Sequence, residues 1–183
     1  NLLADVGLLG YPNAGKSTLI RAVSSAKPKV ADYPFTTLNP NLGVVRLSFD
    51  KSFVIADVPG IIEGASEGIG LGIAFLKHLS RTSLLLHVVH LGQDISIKGA
   101  ANEIKKLEFE LEKFGNELSE KERWLIFNKT DLISDWEKKS QLILNELEWK
   151  GKTHQVSAAT GDGLDTLVKD VMIRLQEMDE GRA

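Results

Sequence analysis

Short apolar runs alternate along the chain with stretches in which apolar residues recur three and four apart. Leu2–Leu9 reads as a buried strand ending at Gly10, and Lys16–Ser24 as the helix after it. Val44–Phe49 and Phe53–Asp57 flank Asp50-Lys51-Ser52, the pattern of two antiparallel strands joined by a tight turn. Leu84–Leu91 and Arg123–Phe127 are further strands, and Thr153–Ser157 is a short last one. Ala100–Phe114 places Ile104, Leu107, Leu111 and Phe114 on one helical face; Asp135–Glu148 and Leu164–Glu177 show the same spacing. Strands alternating with helices predict an α/β fold with a sheet covered by helices on both faces. Two segments resist the pattern: 26–41, and 59–72 with glycines at 60, 64, 68, 70 and 72. Long irregular segments inside a compact domain are usually functional.

Composition narrows the classes. The chain has 183 residues, 43% hydrophobic and 26% charged, with net charge −3 and no cysteine. That is one domain's worth of chain, too apolar and too weakly charged for disorder. Without cysteine there is no disulfide scaffold, thiolate metal site or cysteine nucleophile. The run Leu84–Leu91 is interrupted by His87 and His90 and is far short of a membrane span. The start, Asn-Leu-Leu-Ala-Asp, has neither initiator Met nor basic leader and is read as a cut end.

Gly10-Tyr11-Pro12-Asn13-Ala14-Gly15-Lys16-Ser17 matches the phosphate-binding loop G-x-x-x-x-G-K-[ST] and falls between a strand and a helix. Its glycines let backbone N–H groups turn inward onto phosphate oxygens, and the helix N-terminus adds partial positive charge. Lys16 supplies a full charge to the β- and γ-phosphates, and the Ser17 hydroxyl is a natural Mg²⁺ ligand. This loop alone does not choose between adenine and guanine. Asn128-Lys129-Thr130-Asp131 follows an apolar strand. A carboxylate at Asp131 accepts from the N1–H and the amino group of guanine, whereas adenine would face it with an acceptor and no proton between them. Asn128 is positioned to bond the guanine edge, and the Lys129 stem to lie along the base. Ser157-Ala158-Ala159, after the last strand, offers backbone N–H groups to guanine O6.

Asp57-Val58-Pro59-Gly60 ends a strand and fits D-x-x-G. Asp57 would hold Mg²⁺ through water, and the Gly60 N–H would reach the γ-phosphate. Thr36-Thr37 lies in the first irregular segment, with Thr37 the better candidate for a second protein ligand to the metal. Loops held by γ-phosphate and metal would relax when that phosphate leaves, which makes a switch.

In this order the five motifs are those of a translation-factor-class GTPase. GYPNAGKST, AKPKVADYPFTTLNPNLGVV and DVPGIIEGASEGIGLG resemble the GTPase domain of the bacterial Obg (CgtA) family, from about Ala4 to Gln176. The resemblance implies a P-loop NTPase fold with a six-stranded, mostly parallel sheet. It extends the nucleotide-contacting set to Thr18, Phe35, Leu38, Asn39, Val58, Pro59 and Thr130. It further implies a single Obg-type domain over 1–183 that is monomeric and lacks the family's glycine-rich N-terminal domain. The expected setting is the cytoplasm, with GTP or GDP and Mg²⁺ bound, the 50S ribosomal subunit and its rRNA as partners, and a role in subunit assembly and growth or stress control. His90 departs from the pattern, since relatives usually carry Asp there.

The residue after D-x-x-G, a water-orienting Gln in many GTPases, is Ile61. Intrinsic turnover is therefore expected to be slow. In some GTPases with an apolar residue there, an Asn at the position of Asn13 helps hold a K⁺ ion that supplies charge between the phosphates. The expected catalytic set is Lys16, Thr37 and Gly60, with Asn13 as a K⁺ ligand. The alternative is a guanine-nucleotide or (p)ppGpp sensor whose occupancy, rather than turnover, carries the signal. The four histidines and Trp124, Trp136 and Trp149 read as structural, while Lys27, Lys29, Lys77 and Arg81 flank the irregular segments and are candidates for rRNA phosphates.

The base assignment has a direct test. Asp131→Asn should lower GTP affinity on the order of 100-fold and transfer preference to xanthosine nucleotides, as competition binding reads it. ATP competing equally with GTP for the unaltered protein would overturn the assignment.

Overall fold

The computed structural model describes residues 4–31, 40–57 and 79–182. The strands are β1 (Val6–Leu9), β2 (Lys29–Val30), β3 (Asn41–Ser48), β4 (Lys51–Asp57), β5 (Leu84–His90), β6 (Arg123–Asn128) and β7 (Thr153–Gln155). The helices are α1 (Lys16–Val23), α2 (Ile97–Phe114), α3 (Asn116–Ser119), α4 (Trp136–Leu147) and α5 (Leu164–Arg182). One sheet runs in the order β2-β3-β4-β1-β5-β6-β7. β1 pairs in parallel with β4 and β5, and the parallel ladder continues through β6 to β7. β3 is antiparallel to both β4 and β2.

Every residue of β1 and of β5 is buried, as strands covered on both faces require. On one face Leu8, Ile55, Leu86 and Ile126 pack with Leu19 and Ile20 of α1 and Leu167 and Val171 of α5. On the other, Leu85 and Leu9 meet Leu107 and Leu111 of α2, and Leu125 and Phe127 meet Ile143 of α4. Helices therefore lie on both faces, as the periodicity predicts.

Differences from the sequence reading are local. A six-stranded sheet is expected; the structure holds those six and adds β2, a pair of residues held at the sheet edge by pairing with Leu42 and Asn41. Too short to show a period, β2 has no signal in the pattern. α2 starts at Ile97 rather than Ala100 because the Ser96 side chain caps it, accepting from the Gly99 N–H at 2.9 Å. Trp124 is buried in the core, and Trp136 and Trp149 pack on the cluster beneath α4, so all are packing residues.

Among the buried polar groups, His87 on β5 accepts from the Arg123 guanidinium (Nη1 to Nδ1, 3.0 Å), which places its proton on Nε2. Arg123 is in turn paired with Glu108 at 2.9 Å and covered by the Trp149 ring. Burial, reinforced by Arg123 and Lys16, pushes the His87 pKa well below 6.5. The folded protein thus keeps His87 neutral where the unfolded chain binds a proton, so acidification from pH 7 through 6.5 toward the folded pKa destabilises the fold. Asp94 and Asp170, held below their ordinary value of 3.8 by hydrogen bonds, add to acid loss only below about pH 4. Urea unfolding at pH 7 and pH 5 should show this loss. His87→Gln, which keeps an acceptor for Arg123, should reduce it by about 1.4 kcal/mol for each pKa unit removed. An unchanged pH slope in the variant would refute the assignment.

Candidate guanine-nucleotide site

Because β1, β4, β5, β6 and β7 run in parallel, the segments that follow them gather at one edge of the sheet. That carboxyl edge is where open α/β sheets bind ligands. The loop Gly10–Gly15 leaves β1, makes a single 3₁₀ turn over Pro12–Ala14 and enters α1. Gly10 sits at φ 145°, and a Cβ there would lie 2.5 Å from the Val88 carbonyl oxygen, so backbone of β5 fills the space. Gly15 sits at φ 89°, and a Cβ there would meet the Asn128 amide nitrogen at 2.5 Å. The two fixed glycines of the motif thus let this loop lie against β5 and β6.

Asn128, at the end of β6 and 1% exposed, bonds inside the protein at both ends of its amide. It donates to the Ala14 carbonyl at 2.9 Å and accepts from the Ala158 N–H at 3.0 Å. Sequence reasoning places Asn128 on the guanine edge; the structure shows that it also braces the phosphate loop against the loop after β7. Lys129, in the left-handed region at φ 70°, donates from its ammonium to the Asn13 carbonyl at 2.7 Å, so its stem runs across the site. Asp131 is exposed and receives the Ser157 hydroxyl at 2.7 Å, while the Thr160 N–H donates to that hydroxyl at 3.1 Å. The role of the Ser157 side chain as the group that aims Asp131 was not legible in the sequence, where only its backbone N–H was considered. That N–H goes to the Asp162 carbonyl at 2.9 Å, and Ala158 serves Asn128; guanine O6 must share the Ala158 donor or take that of Ala159. Gly15, Thr18, Asn128, Lys129, Asp131, Leu132, Ala158 and Ala159 together line a cavity of about 240 Å³. Larger cavities among the described residues, such as one of about 490 Å³ between Trp124 and Arg174, lie away from these motifs.

Below the phosphate loop, Lys16 and Asp57 are both nearly fully buried and face each other at 3.3 Å. The Ser17 hydroxyl is 3.5 Å from the other carboxylate oxygen of Asp57, at the limit of a hydrogen bond. Asp57 Oδ1 is buried and accepts no hydrogen bond. The Asp57 carboxylate, charge-paired with Lys16 through one oxygen and beside the Ser17 hydroxyl through the other, is a hard-oxygen set that fits Mg²⁺ held directly by Ser17 and through water by Asp57. Asn13 is exposed at the rim. Phe35, Thr36, Thr37, Leu38, Asn39, Val58, Pro59, Gly60, Ile61 and Lys77 lie outside the described residues.

His90 ends β5 in register with Asn128. Its Nε2–H donates to Asp94 at 2.5 Å, and its Nδ1 is 3.4 Å from the Gly92 N–H. Lys139 of α4 closes the same loop by donating to the carbonyls of Gly92 and Ile95. The hydrogen bond from His90 lowers the Asp94 pKa, and Lys129 adds to this, so Asp94 is an anion beside the base-site lysine.

Comparison with known proteins agrees with this geometry. The model of a family described as 50S ribosome-binding GTPases matches residues 5–129, well over half of the chain. Among solved structures, a candidate nucleolar GTP-binding protein 1 from Plasmodium falciparum superposes with a TM-score of 0.65 at 23% identity, covering 97% of this chain and 88% of that one. The G domain of the T. maritima FeoB iron transporter gives 0.65 at 21% identity, with 93% and 97% covered. The cytosolic domain of the same transporter in its GMPPNP form also gives 0.65, at 23% identity; this chain spans 63% of it. At these identities the likeness shows the P-loop GTPase fold. No helix among the described residues is long and apolar enough to cross a membrane.

Ser157→Ala should leave the fold intact and weaken GDP binding about 10-fold, since a hydrogen bond to a charged group is worth about 1.5 kcal/mol or more. Ser157→Thr should restore it. Nucleotide dissociation rates measure both, and an unchanged rate in the alanine variant would show that Asp131 needs no orienting group.

Proposed function

This chain belongs to the 50S ribosome-binding GTPase family, and on that premise we propose that it is a Mg²⁺-dependent GTP hydrolase and GDP/GTP switch serving assembly of the large ribosomal subunit. The observation that carries the nucleotide reading is the convergence of Asp131, Lys129 and the phosphate loop on one cavity, braced by Asn128. In this reading Asp131 selects guanine and Lys129 covers the base. Lys16 neutralises the β- and γ-phosphates, and Gly60 senses the γ-phosphate through its N–H. Ser17, Thr37 and, through water, Asp57 would hold Mg²⁺, which when bound would supply positive charge to the phosphate oxygens. The sequence resemblance to the Obg family supports the finer assignments: one Obg-type domain, a cytoplasmic setting, 50S and rRNA as partners, and a part in growth or stress control.

Ile61 bears on rate. An apolar side chain cannot orient the attacking water, so unassisted turnover is slow. K⁺ near Asn13 or a ribosomal partner then supplies what the side chain does not. The same residue supports the second reading, a nucleotide or (p)ppGpp sensor in which occupancy carries the signal.

Single-turnover hydrolysis, in KCl and in NaCl, with and without isolated 50S subunits, tests the proposal. Phosphate release that rises with 50S subunits is expected, with a further rise in KCl that Asn13→Ala abolishes. Equal rates in both salts with Asn13→Ala unaffected would remove the K⁺ role. No release with subunits and K⁺ together would leave the sensor reading in place of the enzyme.

A further inference from the structure

The sheet edge formed by β2, β3 and β4 differs in charge from the rest of the chain. Overall, 25 acidic residues outnumber 22 basic ones. On this edge Lys27, Lys29, Arg46 and Lys51 are all exposed, and the acidic residue among them is Asp50. None of these cations takes part in an ion pair among the described residues. At the other end of the sheet, Lys152 and Arg174 each hold a carboxylate.

Register places the cations. Arg46 pairs with Ser52 and Ser48 with Lys51, so Arg46 and Lys51 flank the β3–β4 turn on opposite faces of the sheet, while Lys29, paired with Leu42, lies at the other end of the ladder. Val45, Phe53 and Ile55 enter the core beneath α1. Between Arg46 and Lys51 the turn carries Phe49, which is 91% exposed. Its carbonyl accepts from Arg46 Nη1 at 3.4 Å.

Lysine on an edge strand is sufficiently explained by the need to discourage strand pairing. That need does not explain a bare phenylalanine at the tip, which by itself works against solubility. Cations that track phosphates, beside an aromatic face open to a base, are what single-stranded nucleic acid requires. An acidic peptide would satisfy the cations and offer Phe49 no flat partner.

We propose that the tip of the β3–β4 hairpin is an RNA-binding surface that takes an unpaired segment, with Arg46 and Lys51 on phosphates and Phe49 stacked on a base. It rests on the ribosome reading for which RNA is met, and uses no residue of the nucleotide site. Asn41 and Asp57 pair at the nucleotide end of the β3–β4 ladder, and Ser48 and Lys51 at the other, so the surface sits away from the phosphate loop.

Fluorescence polarisation with a labelled oligouridylate of about 12 nucleotides is the test, with duplex RNA and polyglutamate as competitors. Arg46→Glu combined with Lys51→Glu should weaken binding at least about 10-fold and reduce the log–log salt slope by about 0.7 for each phosphate no longer neutralised. Phe49→Ala should weaken binding about 5-fold or more with the slope unchanged. GDP affinity should be the same in all variants. No binding by the unaltered protein, binding indifferent to these variants, or competition by duplex or polyglutamate as strong as by single strands would overturn the proposal. RNA binding that the variants abolish, together with hydrolysis that 50S subunits never stimulate, would uphold this surface and refute the ribosome reading.

Discussion

The amide of Asn128 is the constraint on which the site depends. One side chain, buried at the end of a central strand, ties the carbonyl of Ala14 to the N–H of Ala158. It thereby fixes the distance between the loop that would hold phosphate and the loop that would flank the base. Gly15 belongs to the same constraint, since any side chain there would occupy the place of the Asn128 amide nitrogen. A carboxylate at position 128 could not donate to Ala14, and a shorter side chain could not span the gap. The motif residues are therefore one bonded unit, and their order along the chain reflects the order in which parallel strands deliver them to the same edge.

Around that unit the fold is a support of ordinary construction. β1 and β5 are buried on both faces, which makes their position insensitive to events at the loops. The buried His87 is satisfied locally by Arg123, and Arg123 by Glu108. The loop after β5 is closed by His90 and Asp94 from within and by Lys139 from α4.

Much of this was legible in the residues. Fully buried parallel strands leave continuous apolar runs, amphipathic helices leave a period, and the phosphate loop and Asn128–Asp131 carry fixed spacings. What was not legible depends on geometry between distant segments. The strand β2 is too short to have a period and exists because Leu42 and Asn41 offer it backbone partners. The Ser157 side chain meets Asp131 across the sheet edge, and nothing in the spacing of Ser157-Ala158-Ala159 distinguishes a hydroxyl that aims a carboxylate from one that faces solvent. Asn128 was assigned to the base because a free amide would suit guanine; its partners in the protein become visible only when the Ala14 and Ala158 loops are placed beside it.

The ion pair between Lys16 and Asp57 carries a thermodynamic consequence. In the proposed function each partner would serve a different ligand: the ammonium a phosphate chain, the carboxylate a hydrated metal. While they face each other, either ligand arriving alone would have to compete with this contact. A ligand that engages Lys16 releases the carboxylate, and a cation that engages Asp57 releases the ammonium. Phosphate and metal affinities are therefore linked, each raising the other by the same factor, as reciprocity between sites requires. The buried pair makes the phosphate–metal complex, rather than either component, the natural ligand of the site.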